Sequence, residues 1–487
     1  MRAAALIAAG LLALGAAPAP VSVVHVFRGQ DGPNPPDAPV ASADMMGGVS
    51  DRYLVGFING GFTVRSKRDG KELQPYQTLR QFWEAAFSNS RGVLPGNPYD
   101  PRIIFDPASS RWFAICDAWG DPPDSQFPDR PGPTQYMLIA VSSDDDPRHY
   151  WKAVPLEAPG PVDNIKLGVD VRGVYSSAGY SRPELAALVV ALPKEDLLWR
   201  GETRPSVAHV NWVKAATVRR LEDHKLDGAE GLFPALDLQG GRNAERPVIF
   251  INRYRSEVGG ETIMQVRKLT WTLPHTAVLS EPVNVGLGVR HAVQPTMRGA
   301  QPPLPSGLFS PGLNAGEGRV VNAVVRHGSV WAVAATQVGE RVGAFWVEID
   351  LGSMRLRQHG TLGDTGADLL FPSLSVDAEG NLGIAMTRTS ATEPASTYVT
   401  GRRRTDPPNT LRPLTRAVSG RYVFFQKKTD LTKPGQPGGT SDYSTTVADP
   451  SDRTLFWSYQ LAATNDCMPP ETNAGKYGTN WVAFRVK

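Results

Sequence analysis

Cysteine is almost absent from this chain: Cys116 and Cys467 are the only two in 487 residues. A disulfide-stapled small scaffold and a cysteine-rich metal site are both excluded. The 8 histidines are scattered without metal-ligand spacing, and no His-Glu-x-x-His occurs. Charge of one sign is lacking too. Against 48 acidic residues stand 51 basic ones, a net charge of +3, and that balance predicts no nucleic-acid or membrane footprint. After the N-terminus no apolar run is long enough to cross a bilayer as a helix. Catalytic signatures are missing as well. Gly179-Tyr180-Ser181-Arg182 lacks the second glycine of a nucleophile elbow. No phosphate-cradling glycine loop is present, and Asp144-Asp145-Asp146 reads as a hairpin turn ending in Pro147, not as a calcium loop. The sequence therefore implies no metal and no tightly bound organic cofactor.

What is there begins with Met1–Ala19, which reads as a secretory signal peptide: Arg2, an Ala/Leu-rich run to Leu14, then small residues. A secreted or periplasmic protein is the expectation. Residues 20–45 read as a linker or strap, and residues 46–487 as the folded unit. Glycine (48) and proline (42) are plentiful, as many turns between short strands require. Export permits a disulfide between Cys116 and Cys467, and two separate buried thiols are the other reading. Arg402-Arg403-Arg404 lies in a turn-rich stretch and reads as a solvated loop. Leu79–Phe87 has apolar residues at helical spacing and is the best short helix.

One pattern recurs. In Asp100–Asp117 an apolar strand (Ile103, Ile104, Phe105) reaches Asp106-Pro107, turns, and leaves as Trp112-Phe113-Ala114-Ile115. The same strand, Asp-containing turn and strand return around Asp170, Asp237, His327-Gly328, Asp377 and Asp449, with a first copy near Ser50-Asp51. Tyr136–Ser142, Leu188–Leu192 and Ala344–Ile349 supply strands between the copies. A single such sheet cannot bury both faces, whereas about seven arranged radially can. The fold class is therefore all-β, a seven-bladed β-propeller, with six or eight blades as the alternative. The recurrent aspartates read as turn braces.

The pieces Asp100–Phe113, Tyr136–Trp151, Asp163–Tyr175, Phe371–Ala385, Thr397–Arg402 and Ser441–Trp457 resemble secreted bacterial β-propeller proteins related in pattern to the sialidase superfamily. Ser375–Leu382 is similar to the sialidase Asp-box, with the Thr-Trp replaced. The resemblance implies a propeller fold. It does not transfer the sialidase site, since Pro101-Arg102-Ile103 differs from the Arg-Ile-Pro signature and no arginine triad or Tyr/Glu pair is matched.

In a propeller the entries to the inner strands converge on one mouth of the central channel. That places Asp100, Asp163, Asp442 and Tyr443 as candidate catalytic groups. Arg102, Lys166, Gln294, Arg253 and Tyr254 are candidate substrate contacts. Carboxylates beside cations suit a polyhydroxylated or anionic sugar. A carboxylate pair such as Asp100 and Asp163 suggests glycoside hydrolysis. Tyr443 or His291 as a base, with Arg102 holding a uronate, suggests a lyase. The leading expectation is binding or processing of an extracellular carbohydrate; the alternative is a non-catalytic scaffold for protein partners.

Overall fold

The computed structural model describes residues 19–31, 43–120, 134–158, 162–180, 188–214, 231–238, 246–254, 260–291, 298–304, 308–315, 318–424, 430–435, 437–439, 441–464 and 478–487. Seven sheets fan around one axis as the blades of a β-propeller. Blades 1 to 6 span residues 46–78, 97–157, 162–214, 233–286, 320–362 and 368–418, and blade 7 spans 445–485. The innermost strands are Met46–Val49, Asn97–Asp106, Gly168–Val169, Phe233–Pro234, Val320–Arg326, Asp368–Val376 and Thr445–Ala448.

The stretch expected to be a linker differs from expectation. Ser22–Asp31 is a strand that pairs antiparallel with Gly478–Arg485, so chain start and chain end close the ring in blade 7. Gly29 permits this approach: a Cβ there would lie 2.5 Å from Thr479 Oγ1 and 2.6 Å from Tyr459 Cε2.

Blade faces are apolar because alternate residues of each strand point to each side. Among the described residues, each blade-to-blade interface carries its own buried cluster. Examples are Phe57, Trp112 and Leu138 between blades 1 and 2, Phe113, Ile139 and Val190 between 2 and 3, and Trp331, Trp346 and Leu374 between 5 and 6. The helix Leu79–Asn89 starts at a Thr78/Gln81 capping box and buries Leu79, Phe82, Trp83, Ala86 and Phe87, one face of a helix. Phe82 wedges against Phe57, Phe62 and Trp151, filling the rim between blades 1 and 2.

The recurrent aspartates brace their turns. Asp106 accepts from the N–H groups of Ala108 and Ser109, Asp170 from Arg172 and Gly173, Asp377 from Glu379 and Asn381, and Asp449 from Ser451 and Asp452. At Asp237 the chain changes blade, and the turn that follows lies outside the described residues. After Phe233-Pro234 pair with their own blade, the chain crosses over, and Leu236 and Asp237 lie parallel to Val324 and Val325 of blade 5. Beside this crossover a cavity of about 570 Å³ opens on the turn face, lined by Val169, Asp170, Val248, Ile249 and Val325. Cys116 is a free, fully buried thiol in blade 2, and Cys467 lies outside the described residues. Of the three consecutive arginines, Arg402 is buried, which corrects the solvated-loop reading for that residue.

Two insertions reach across the mouth face over blades 6 and 7. Gly312–Leu313 pairs with Pro437–Gly439, and the Gln301 side-chain amide donates to the carbonyls of Pro311 and Phe424 at 2.7 Å each. The polar cluster described next adjoins them: Ala43 and Met45, on either side of Asp44, pack in one buried cluster with Leu313 and Phe424.

Candidate functional site at the channel mouth

Four inner strands enter the channel through the same local distortion. Asp44, Asp100, Asn164 and Phe371 have φ of 42°, 52°, 55° and 52°, the left-handed region that non-glycine residues seldom adopt. They stand two residues ahead of Met46, Arg102, Lys166 and Ser373 respectively. The pairing register breaks at this point in blade 2, between Tyr99 and Arg102, and in blade 6, between Leu370 and Ser373. Asp and Asn tolerate the conformation because a short polar side chain bonds locally. Three of these four left-handed residues thus carry an oxygen-bearing side chain at the mouth.

Hydrogen bonds hold the polar side chains among them. Asn59 Nδ2 donates to Asp44 Oδ2 at 2.6 Å and to Asp100 Oδ1 at 3.3 Å, so two carboxylates meet on one amide nitrogen. The Asp100 N–H donates back to Asn59 Oδ1 at 2.7 Å, and the Asp442 N–H donates to Asp44 Oδ1 at 2.7 Å. Lys166 Nζ donates to Asn164 Oδ1 at 2.7 Å and also to the Asn164 carbonyl.

Arg102 plugs the axis. Its guanidinium carbon lies 3.8 Å from the centre of the Tyr443 ring and 5.9 Å from that of Phe233, a desolvated cation–π arrangement. Nε donates to the Ile165 carbonyl and Nη2 to Asn164 Oδ1 at 3.4 Å. Beneath it the channel narrows to a cavity of about 70 Å³ among Val49, Ile103, Phe105, Leu236 and Val324, well below the volume of ligand pockets in general.

Burial, with Asp100 and Asp44 beside it, pushes the Tyr443 phenol well above its usual value, and Arg102 opposes this only in part. The phenol stays protonated at neutral pH and is a poor nucleophile or base there. At the edge of the cluster the blade 2 hairpin projects. Tyr99 stacks on Trp119 at 6.3 Å between ring centres and 25° between planes, and Trp119 is 45% exposed.

Of the residues expected from sequence, the fold brings Asp100, Arg102, Lys166, Asp442 and Tyr443 together. Asp163 enters blade 3 by pairing with Gly179, but its side chain and all of Gln294 lie outside the described residues. Arg253 and Tyr254 end the second strand of blade 4. Arg253 is buried between blades 4 and 5, 5.1 Å from the Phe345 ring, and donates to the carbonyls of His291 and Gly318. His291 packs there too, on Phe345 at 4.3 Å, and not beside Arg102. Sequence reasoning missed Asp44, Asn59 and Trp119; aligning the strand entries one residue at a time puts Asp44 in the same position as Asp100. Among the described residues no group of three or more His, Cys, Asp or Glu is arranged to hold a metal ion.

No family model matches the chain, and no curated protein matches it. Solved structures do. A protein of unknown function from Dyadobacter fermentans aligns over 80% of this chain and 94% of its own, with 12% identity and a TM-score of 0.39. The Dos1 propeller aligns over 93% and 94%, with 8% identity and a TM-score of 0.38. Trypanosoma rangeli sialidase in complex with sialic acid aligns over 94% of this chain but 59% of its own length, with 10% identity and a TM-score of 0.36. Similarities this distant include both an enzyme and a propeller of no stated activity, and they carry no argument about what this chain binds.

Proposed function

We propose that this chain is an exported propeller that binds carbohydrate at the channel mouth without turning it over. The observation that carries this reading is the stack of exposed Trp119 on Tyr99, on the same strand pair as Asp100, which Asn59 bridges to Asp44 of blade 1. A flat aromatic face packs against the C–H face of a sugar ring, while the half-buried Asn59 and Asp442 side chains offer oxygens to its hydroxyls. Binding is favoured over catalysis because the groups that chemistry would need are committed elsewhere. Asp44 is fully buried, Tyr443 is held protonated, and Arg102 and Lys166 are spent on carbonyl and amide oxygens. Export rests on the leader-like composition of Met1–Ala19.

The test is a glycan array with product analysis, run on the wild type, Trp119→Ala and Asn59→Ala. A glycan should bind, release no product, and lose about tenfold in affinity when Trp119 is removed. A silent array for the wild type overturns the reading and favours a scaffold for protein partners. Product release, or full affinity in Trp119→Ala, overturns it as well.

A further inference from the structure

A second cavity lies on the turn face, the opposite end of the propeller from the mouth. It opens between blades 5 and 6, has a volume of about 430 Å³, and is walled by Trp331, Glu348, Arg357, Gln358, Arg402 and Arg404, with His327 at its edge.

Arg402 ends the third strand of blade 6 and is only 3% exposed. Nη2 donates to the backbone carbonyls of Asp406 at 2.6 Å and Pro407 at 3.4 Å, and Nε has no hydrogen-bond partner. Among the described residues it forms no ion pair. The two nearby carboxylates are already engaged. Asp406 holds Arg412 Nε at 2.9 Å, and Glu348 accepts from Ser329 Oγ at 2.8 Å and from Gln358. Burial lowers the Arg402 pKa, and Asp406 and Glu348 offset this only in part. Above it, Arg404 and His327 converge over Gly380: a Cβ built there would lie 3.2 Å from Arg404 Cδ and 3.4 Å from His327 Cδ2. Neither side chain has an acidic partner among the described residues. Arg357, on the facing wall, is held by Asp350.

A cation kept out of water without a counter-ion is costly, and one placed on a cavity wall is relieved by an anion from solution. The flat fork of arginine donors matches an oxyanion. The cavity is larger than one oxyanion, and the Trp331 indole forms part of its wall. We propose that this cavity takes a sulfate or phosphate group carried on a sugar-sized ring, with Arg402 at the base and Arg404 and His327 over the opening.

The experiment is calorimetric titration of the full chain with glucose 6-sulfate and glucose 6-phosphate, with glucose and chloride as controls at constant ionic strength. Both esters should bind above glucose, and their ratio names the preferred group. Arg404→Ala changes an exposed residue and should weaken binding about tenfold. Arg402→Met should abolish binding while its urea midpoint holds or rises, because an apolar side chain of similar length replaces a buried charge that Asp406 and Glu348 offset only in part. If that variant fails to fold, Arg404→Glu must abolish binding instead. Trp119→Ala at the mouth should bind both esters as the wild type does, so the two sites fail or stand separately. No binding above the controls, or equal affinity in Arg404→Ala and Arg404→Glu, overturns the proposal.

Discussion

Nζ of Lys194 lies 2.6 Å from Oδ2 of Asp106, and both side chains are less than a tenth exposed. The bond runs from the end of the third strand of blade 3 to the hairpin turn of blade 2. Blades 1 and 7 repeat it, with Lys67 Nζ 3.0 Å from Asp449 Oδ1. In each pair one carboxylate serves two purposes. It accepts from the N–H groups of its own turn and from the ammonium of the next blade, so the brace that shapes a hairpin also fastens neighbouring sheets.

Removing the ammonium should therefore cost more than an ordinary surface change. Lys194→Met leaves a buried carboxylate without its counter-ion and should lower stability by about 3 kcal/mol. Adding Asp106→Asn should cost less than the sum of the two single changes, because the two residues are coupled. Urea midpoints of the four proteins measure this. Additive losses would mean that the pair contributes nothing beyond its separate turn and packing roles.

Ring closure makes a second prediction. Gly29 passes within van der Waals contact of Thr479 and Tyr459, where the Gln30 N–H donates to Thr479 Oγ1 at 2.7 Å. Gly29→Val forces that strand outward and should cost about 2 kcal/mol or more, as overpacking of a filled site does. Limited proteolysis should then release an N-terminal fragment ending within Ser22–Asp31 before any other cut. A variant with the wild-type midpoint and cleavage pattern would show that the strand is not what holds the ring shut.

Much of this architecture is legible in the sequence, because an Asp-containing turn between two apolar strands is a local signal repeated around the ring. What is not legible depends on partners distant in the chain. Ser22–Asp31 borders a Pro/Gly-rich stretch that reads as a strap, and only pairing with Gly478–Arg485 makes it a strand. Leu236 and Asp237 stand in the repeat like any inner-strand end, yet they lie beside Val324 and Val325 of the next blade, a pairing that nothing local announces. Asp44 and Asn59 are short polar residues of blade 1, and nothing nearby marks them as the bridge to Asp100 until the strand entries are superposed.

At the mouth, ring and hydroxyl of Tyr443 can be separated. The ring faces Arg102 at 3.8 Å, whereas the hydroxyl reaches only the Pro101 carbonyl at 3.5 Å, the outer limit of a hydrogen bond. Tyr443→Phe should cost less than about 1 kcal/mol and leave glycan binding intact. Tyr443→Leu loses the cation–π contact and should cost about 2 kcal/mol or more. Loss of a glycan-dependent activity in Tyr443→Phe alone would mean that the hydroxyl takes part in chemistry, against the binding-only reading.

The acid limb of the stability profile should carry the mark of His291. Burial, with Arg253 and His359 adding like charge, lowers its pKa from 6.5 to about 4. The ring stays neutral in the fold, stacked on Phe345 and bonded to Thr262 and Thr361. An unfolded imidazole takes up its proton near pH 6.5, so below that value the unfolded chain binds a proton that the folded one refuses. Stability should therefore fall as the pH drops from about 6.5 toward about 4, with no contribution from this residue above the window. His291→Gln keeps a hydrogen-bonding side chain without the titration and should flatten that part of the slope. Asp146, held well below the ordinary carboxylate range by Arg148, gives way only at lower pH, so the difference between the two profiles isolates the imidazole. Parallel urea midpoints for wild type and His291→Gln across the whole window would show that the folded protein accommodates the charged ring.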